Sequence, residues 1–222
     1  MVPPSPCSTG RQKPFRNTRG KLELRYGGGK TCARIGAQFI GRWRDVIGYR
    51  HCDRGFPFLW SDSSQPPARW HSLGEGPANY FADTPVGAWA EFIRHEGITE
   101  EADLASVDRS LWAVEIPEAA YPKPNLPRST LLGGLLTYTD CQDEARRLRQ
   151  GGAQCLEAPS AALLPRGARG WVAMPNIQAA HGSRSGKVWV WFGARPDFAA
   201  WPAVEGGTPP SRVLPLVRHL TF

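Results

Sequence analysis

Ala78-Asn79-Tyr80-Phe81-Ala82-Asp83-Thr84-Pro85-Val86-Gly87-Ala88-Trp89-Ala90-Glu91-Phe92-Ile93 changes its hydrophobic pattern partway along. Residues 78–82 are a short aromatic-rich run of strand type. Thr84 is a residue of N-cap type, and Pro85 behind it suits the first helical position, where its missing N–H costs little. Val86, Trp89, Ala90 and Ile93 then recur at helical spacing and predict a buried stripe. Glu91 lies about 140° from the centre of that stripe, at about 100° per residue, so it faces either solvent or a cleft.

Further strand-like runs occur on both sides, at 46–51, 111–116, 154–157, 171–174, 187–192 and 212–217. A second helix is predicted over 140–150, with Gly151 placed to end it. Many short strands, few helices and no regular alternation of the two predict an α+β domain with a mostly antiparallel sheet. After Phe192, the residues Pro196, Trp201, Pro209 and Pro210 suggest an irregular wrap that ends in a last strand.

Charge divides the chain. Residues 1–48 hold ten Lys or Arg against Glu23 and Asp45, whereas the remainder holds 17 basic and 18 acidic residues. With its prolines and glycines, 1–33 reads as a flexible basic arm ahead of a single domain over 34–222. Such an arm can bind nucleic acid, dock on an acidic protein or simply remain soluble, and the sequence leaves all three open. Gly27-Gly28-Gly29-Lys30-Thr31 fails as a phosphate-binding loop, because the glycine required six residues before the lysine is Leu24. Cys7, Cys32, Cys52, Cys141 and Cys155 are scattered and odd in number, so reduced thiols and no metal site are expected. No run approaches the roughly 20 apolar residues of a membrane span, and no apolar signal core is visible; a cytoplasmic protein is expected.

Polar groups set into apolar structure mark the candidate site: Tyr49-Arg50-His51, Arg69-Trp70-His71, Tyr80 and Glu91. Read from position alone, these are equally surface charges, a half-buried strand aromatic and a loop histidine. The ordered series 68–74, 78–85, 88–92, 111–117 and 158–161 resembles the RES domain, a family named for an arginine, a glutamate and a serine. The resemblance is strongest over 46–176, and the three residues would be Arg69, Glu91 and Ser160. The family often has two glycines before its Arg-Trp pair and an asparagine after it, where this chain has Pro67-Ala68 and His71.

That resemblance implies an ADP-ribosyltransferase-like fold with a split sheet. It also implies NAD as substrate, no prosthetic group, and the toxin role of a toxin–antitoxin pair whose partner is an acidic, Xre-type helix-turn-helix antitoxin. Cleavage of the nicotinamide–ribose bond builds positive charge on the sugar, which a carboxylate such as Glu91 stabilises. On this reading Arg50 and Arg69 clamp the pyrophosphate, while Tyr80, with Trp70 or Tyr49, stacks on a base. His71 belongs to the same binding loop, and Ser160 orients Glu91 or a ribose oxygen. The acceptor of the ADP-ribosyl group stays open among water, phosphate and a macromolecule. A non-catalytic nucleic-acid-binding module using the basic arm is the rival of another class.

Overall fold

The structure, a computed structural model, describes residues 45–174, 177–180 and 182–220. The basic arm and its glycine cluster lie outside these residues. Six strands form one sheet in the order β4 (Cys155–Pro159), β7 (Lys187–Phe192), β2 (Ala78–Ala82), β1 (Asp45–Asp53), β3 (Arg109–Pro117), β8 (Ala200–Gly207), and every neighbouring pair is antiparallel. A separate two-stranded ribbon pairs β5 (Trp171–Met174) with β6 (Ile177–Ala180). With helices α1 (Pro85–His95), α2 (Glu101–Leu104), α3 (Arg128–Leu132) and α4 (Tyr138–Gln150), the fold is α+β. No helix among the described residues is long and apolar enough to cross a membrane.

The sheet is covered on both faces, and β7 shows how the sequence arranges this. Val188 and Val190 join Trp70, Ala78, Cys141, Ala145 and Leu156 on the side of α4, while Trp189 and Trp191 join Phe81, Val114, Ile116 and Phe198 on the other. This is the period-two alternation of a strand buried on both faces. Helix α1 begins where expected: the Thr84 hydroxyl accepts from Gly87 N–H at 3.0 Å, and Trp89, Ala90 and Ile93 enter a core with Leu111, Leu163 and Val217. Helix α4 is capped at its end by Gly151.

Strand β1 pairs with β3 along its whole length but meets β2 only at Tyr49↔Ala82. The sheet therefore splits between its two middle strands. The split leaves the edge of β2 in need of partners, and the Gln65 side chain supplies them. Its Oε1 accepts from Ala78 N–H at 2.7 Å and its Nε2 donates to Ala78 C=O at 2.9 Å, in place of a neighbouring strand. At the junction a Cβ on Gly48 would lie 2.8 Å from the Phe81 Cβ. Gly48→Val is expected to force the strands apart and to destabilise the fold by about 1–3 kcal/mol, read as a lowered urea midpoint.

Two expectations for the tail are corrected. Residues 212–217 are not a strand: Ser211–Leu216 is a 3-10 helix, and only Val217 bridges, to Leu163. Pro215 has no N–H for a ladder, and Val213 N–H instead reaches back to Pro210 C=O. Trp201 lies not in an irregular wrap but in β8, an edge strand, where the exposed ring and Pro202 disguise the alternation. Cys52, Cys141 and Cys155 are free thiols.

Candidate active site

A cavity of about 210 Å³ opens at the split, lined by Tyr49, Arg50, Tyr80, Glu91, Arg94 and Tyr138 among others. Glu91 projects into it from α1, on the face opposite the buried stripe. Ser160, the residue after β4, is 4% exposed and donates its hydroxyl to Glu91 Oε1 at 3.0 Å. Ser160 is fixed in turn, since its Oγ accepts from Ala162 N–H and its own N–H donates to Gly186 C=O. With its single proton given to Glu91, the hydroxyl fixes the position of that carboxylate. Burial pushes the Glu91 carboxyl above the ordinary glutamate range, a rise that the Ser160 hydroxyl, Arg94, His95 and Arg69 oppose.

Arg50 enters the cavity from β1. Its Nε is buried without a hydrogen-bond partner, and no ion pair or hydrogen bond engages its guanidinium among the described residues. Burial lowers its pKa to about 10, so the group stays cationic at neutral pH. A half-buried, unpaired guanidinium in the same cavity as a carboxylate held at 3.0 Å by a serine is an incomplete electrostatic arrangement. An anion on Arg50, with a developing cation next to Glu91, would complete it.

Comparison with known proteins gives the same region. The sequence pattern of the RES domain matches residues 36–203 of the chain. The chain belongs to the RES domain family. No curated protein matches. Among solved structures, a chain in the crystal structure of the M. tuberculosis MbcT–MbcA toxin–antitoxin complex aligns with a TM-score of 0.50 and 14% identity, over 73% of this chain and 86% of that one. At that identity the likeness is one of fold.

The three residues that the resemblance pointed to, Arg69, Glu91 and Ser160, do different work here. Arg69 is 7% exposed and already engaged: Nη1 donates to Thr130 C=O and Thr137 Oγ1, both at 3.2 Å, and Nη2 donates to Gly133 C=O at 2.6 Å. Its guanidinium also lies over the Tyr138 ring, 4.7 Å from the centroid. Arg69 thus forms part of the wall and fixes the α3–α4 connection, which corrects its expected use as a free clamp equal to Arg50. Arg94 shares the task, with Nη2 on the same Gly133 carbonyl at 2.8 Å.

Two further expectations for this RES domain are corrected. Trp70 is 1% exposed and packs among Ala78, Leu156 and Val190, so its ring has no free face for a base. His71, equally buried, donates from Nε2 to Pro66 C=O at 2.8 Å, which leaves Nδ1 to accept from the Tyr80 hydroxyl at 2.9 Å. Tyr80 Oη accepts from Trp70 N–H at 3.1 Å. His71 and the Trp70 backbone therefore hold Tyr80, whose ring lines the cavity as expected, and Tyr49 lines it too.

Sequence reasoning missed Arg94, His95 and Tyr138 and gave His51, in the candidate stretch 49–51, no role; all four line the cavity. Arg94 and His95 stand three and four residues after Glu91 and share its helix face, a signal that was available. His51 stands in the candidate stretch 49–51, but nothing in the sequence assigns its ring a task. Its Nδ1 accepts from Arg109 Nε–H at 3.3 Å and its ring meets Phe92 edge-on at 5.2 Å. Burial, with Arg109, Arg50 and His95 nearby, keeps the ring neutral, so its proton sits on Nε2. Among the described residues no group of three or more His, Cys, Asp or Glu side chains is placed to hold a metal ion.

Proposed function

We propose that this RES domain cleaves the bond between nicotinamide and ribose in NAD, transferring ADP-ribose to water or phosphate, and acts as the toxin of a toxin–antitoxin pair. The observation that carries this reading is the juxtaposition of Glu91, fixed by Ser160, with the unpaired Arg50 in one recessed cavity. When the C1′–N bond breaks, its electron pair leaves with nicotinamide and positive charge spreads over C1′ and the ring oxygen. A preoriented carboxylate in a partly dry cavity stabilises that charge far better than water does. Arg50 pairs with a pyrophosphate oxygen, Tyr80 and Tyr49 offer rings to a base, and water or phosphate then attacks C1′.

Such an enzyme needs restraint in its host, and an acidic helix-turn-helix antitoxin that covers this cationic cavity suits the geometry. The direct test is incubation of the protein with NAD, with and without phosphate, while free nicotinamide is followed by chromatography. Release is expected. Acceleration by phosphate assigns a phosphorylase, indifference a glycohydrolase, and absence of release in both conditions sinks the reading.

The acidic limb of the pH–rate profile reports Glu91 ionisation. Since its pKa is raised, activity is expected to climb with pH through values above the ordinary glutamate range. Ser160→Ala removes a hydrogen bond that favours the ionised form, so the limb should move to still higher pH. A limb that stays in place in Ser160→Ala would show that another group governs the rate.

A further inference from the structure

The Glu91 cavity, at about 210 Å³, lies below the roughly 300–1,000 Å³ typical of sites that enclose a whole small ligand. A dinucleotide is too large for it. Tyr49 also forms the wall of a second cavity, of about 930 Å³, at the N-terminal end of α1, lined by Asp83, Thr84, Val86, Arg169 and Arg212 among others. We propose that this second cavity holds the adenylate half of the dinucleotide, with Tyr49 standing between the two nucleotide halves. The assignment rests on the NAD reading above.

Three observations support it. Arg169 and Arg212 are exposed and have neither a hydrogen bond nor an ion pair among the described residues, and α1 carries no acidic residue in its first turn. Two free guanidinium groups near the positive end of α1 favour a phosphate. Second, the Asp83 side chain is 2% exposed and lines this cavity; Arg184 holds its Oδ2, but Oδ1 is buried without a partner. A buried acceptor left unsatisfied is costly, and a ribose hydroxyl is the kind of donor that relieves it. Phosphate-binding cations and a hydroxyl-accepting carboxylate in one cavity select a nucleotide over a simple anion. Third, Glu91 stands seven positions after Thr84, a rise of about 10 Å along the helix, which is the scale of one nucleotide beside the next.

Two arms of one experiment test the proposal on the full chain. In the first, calorimetric titration with AMP is expected to show binding that weakens at least about tenfold in the Arg169→Ser/Arg212→Ser double variant, or roughly 1.4 kcal/mol. In the second, nicotinamide release is measured from NAD and from nicotinamide mononucleotide, which lacks the adenylate half. The double variant is expected to lower the ratio of kcat/KM for NAD to that for the mononucleotide about tenfold. AMP that fails to bind, or binds regardless of both arginines, overturns the second subsite, as does an unchanged ratio. Absence of release from either substrate by the wild-type protein overturns the NAD reading instead.

Discussion

Glu91→Gln is expected to reduce nicotinamide release by about 10²–10³-fold while making the protein harder to melt. Glutamine keeps the shape of the side chain and can still accept from Ser160, but it carries no charge to set against the developing cation. The loss should fall mainly on kcat, because the interaction is made only as the bond breaks. The stability effect follows from the raised carboxyl pKa. Between its value in the unfolded chain and its higher value in the fold, the native protein binds more protons, so stability falls as pH rises through that window. At neutral pH the ionised Glu91 is therefore a net cost to folding, and its amide counterpart removes that cost. A melting temperature raised by a few degrees at pH 7, with the difference shrinking toward pH 4, is the expected calorimetric result. Equal melting curves at pH 7 would show that the carboxylate is better solvated than its setting implies.

What was legible in the sequence was local. The strand at 78–82, the Thr84 cap, the α1 stripe and the Gly151 stop all depend on neighbours within a few residues, and the structure has each of them. Strand order was not legible, since it depends on which of several similar apolar runs pair across long stretches of chain. The run at 212–217 has strand composition, yet Pro215 and the Pro210 carbonyl turn it into a 3-10 helix. Within the site, spacing set Glu91 off the buried stripe, a family resemblance gave it and Ser160 their roles, and the two meet across 69 residues of sequence. Trp70 and His71 look like binding residues because the groups that bury them, Leu156 and Val190 for one and Pro66 and Tyr80 for the other, are invisible until the chain folds.

Arg50 and Arg69 make the same point, because as residues in a sequence they are interchangeable candidates. Arg69 finds the carbonyls of Thr130 and Gly133, whereas Arg50 finds nothing among the described residues. The two should therefore fail differently when changed to methionine, which keeps an unbranched apolar side chain and discards the charge. Arg50→Met is expected to raise KM for NAD about 10–100-fold, the loss of charged hydrogen bonds worth roughly 1.5–3 kcal/mol, with a much smaller change in kcat. The variant should be at least as stable as the parent, since it removes a half-buried guanidinium that has no partner among the described residues. Arg50→Lys should recover only part of the affinity, because an ammonium cannot make the paired contact with a phosphate. Arg69→Met should instead lower the urea midpoint by leaving the Gly133 and Thr130 carbonyls short of donors, with any change in KM following from a loosened wall. Steady-state kinetics beside urea melts separate the two patterns. A rise in KM confined to Arg69→Met, with Arg50→Met kinetically silent, would reverse the assignment of the anion-binding arginine.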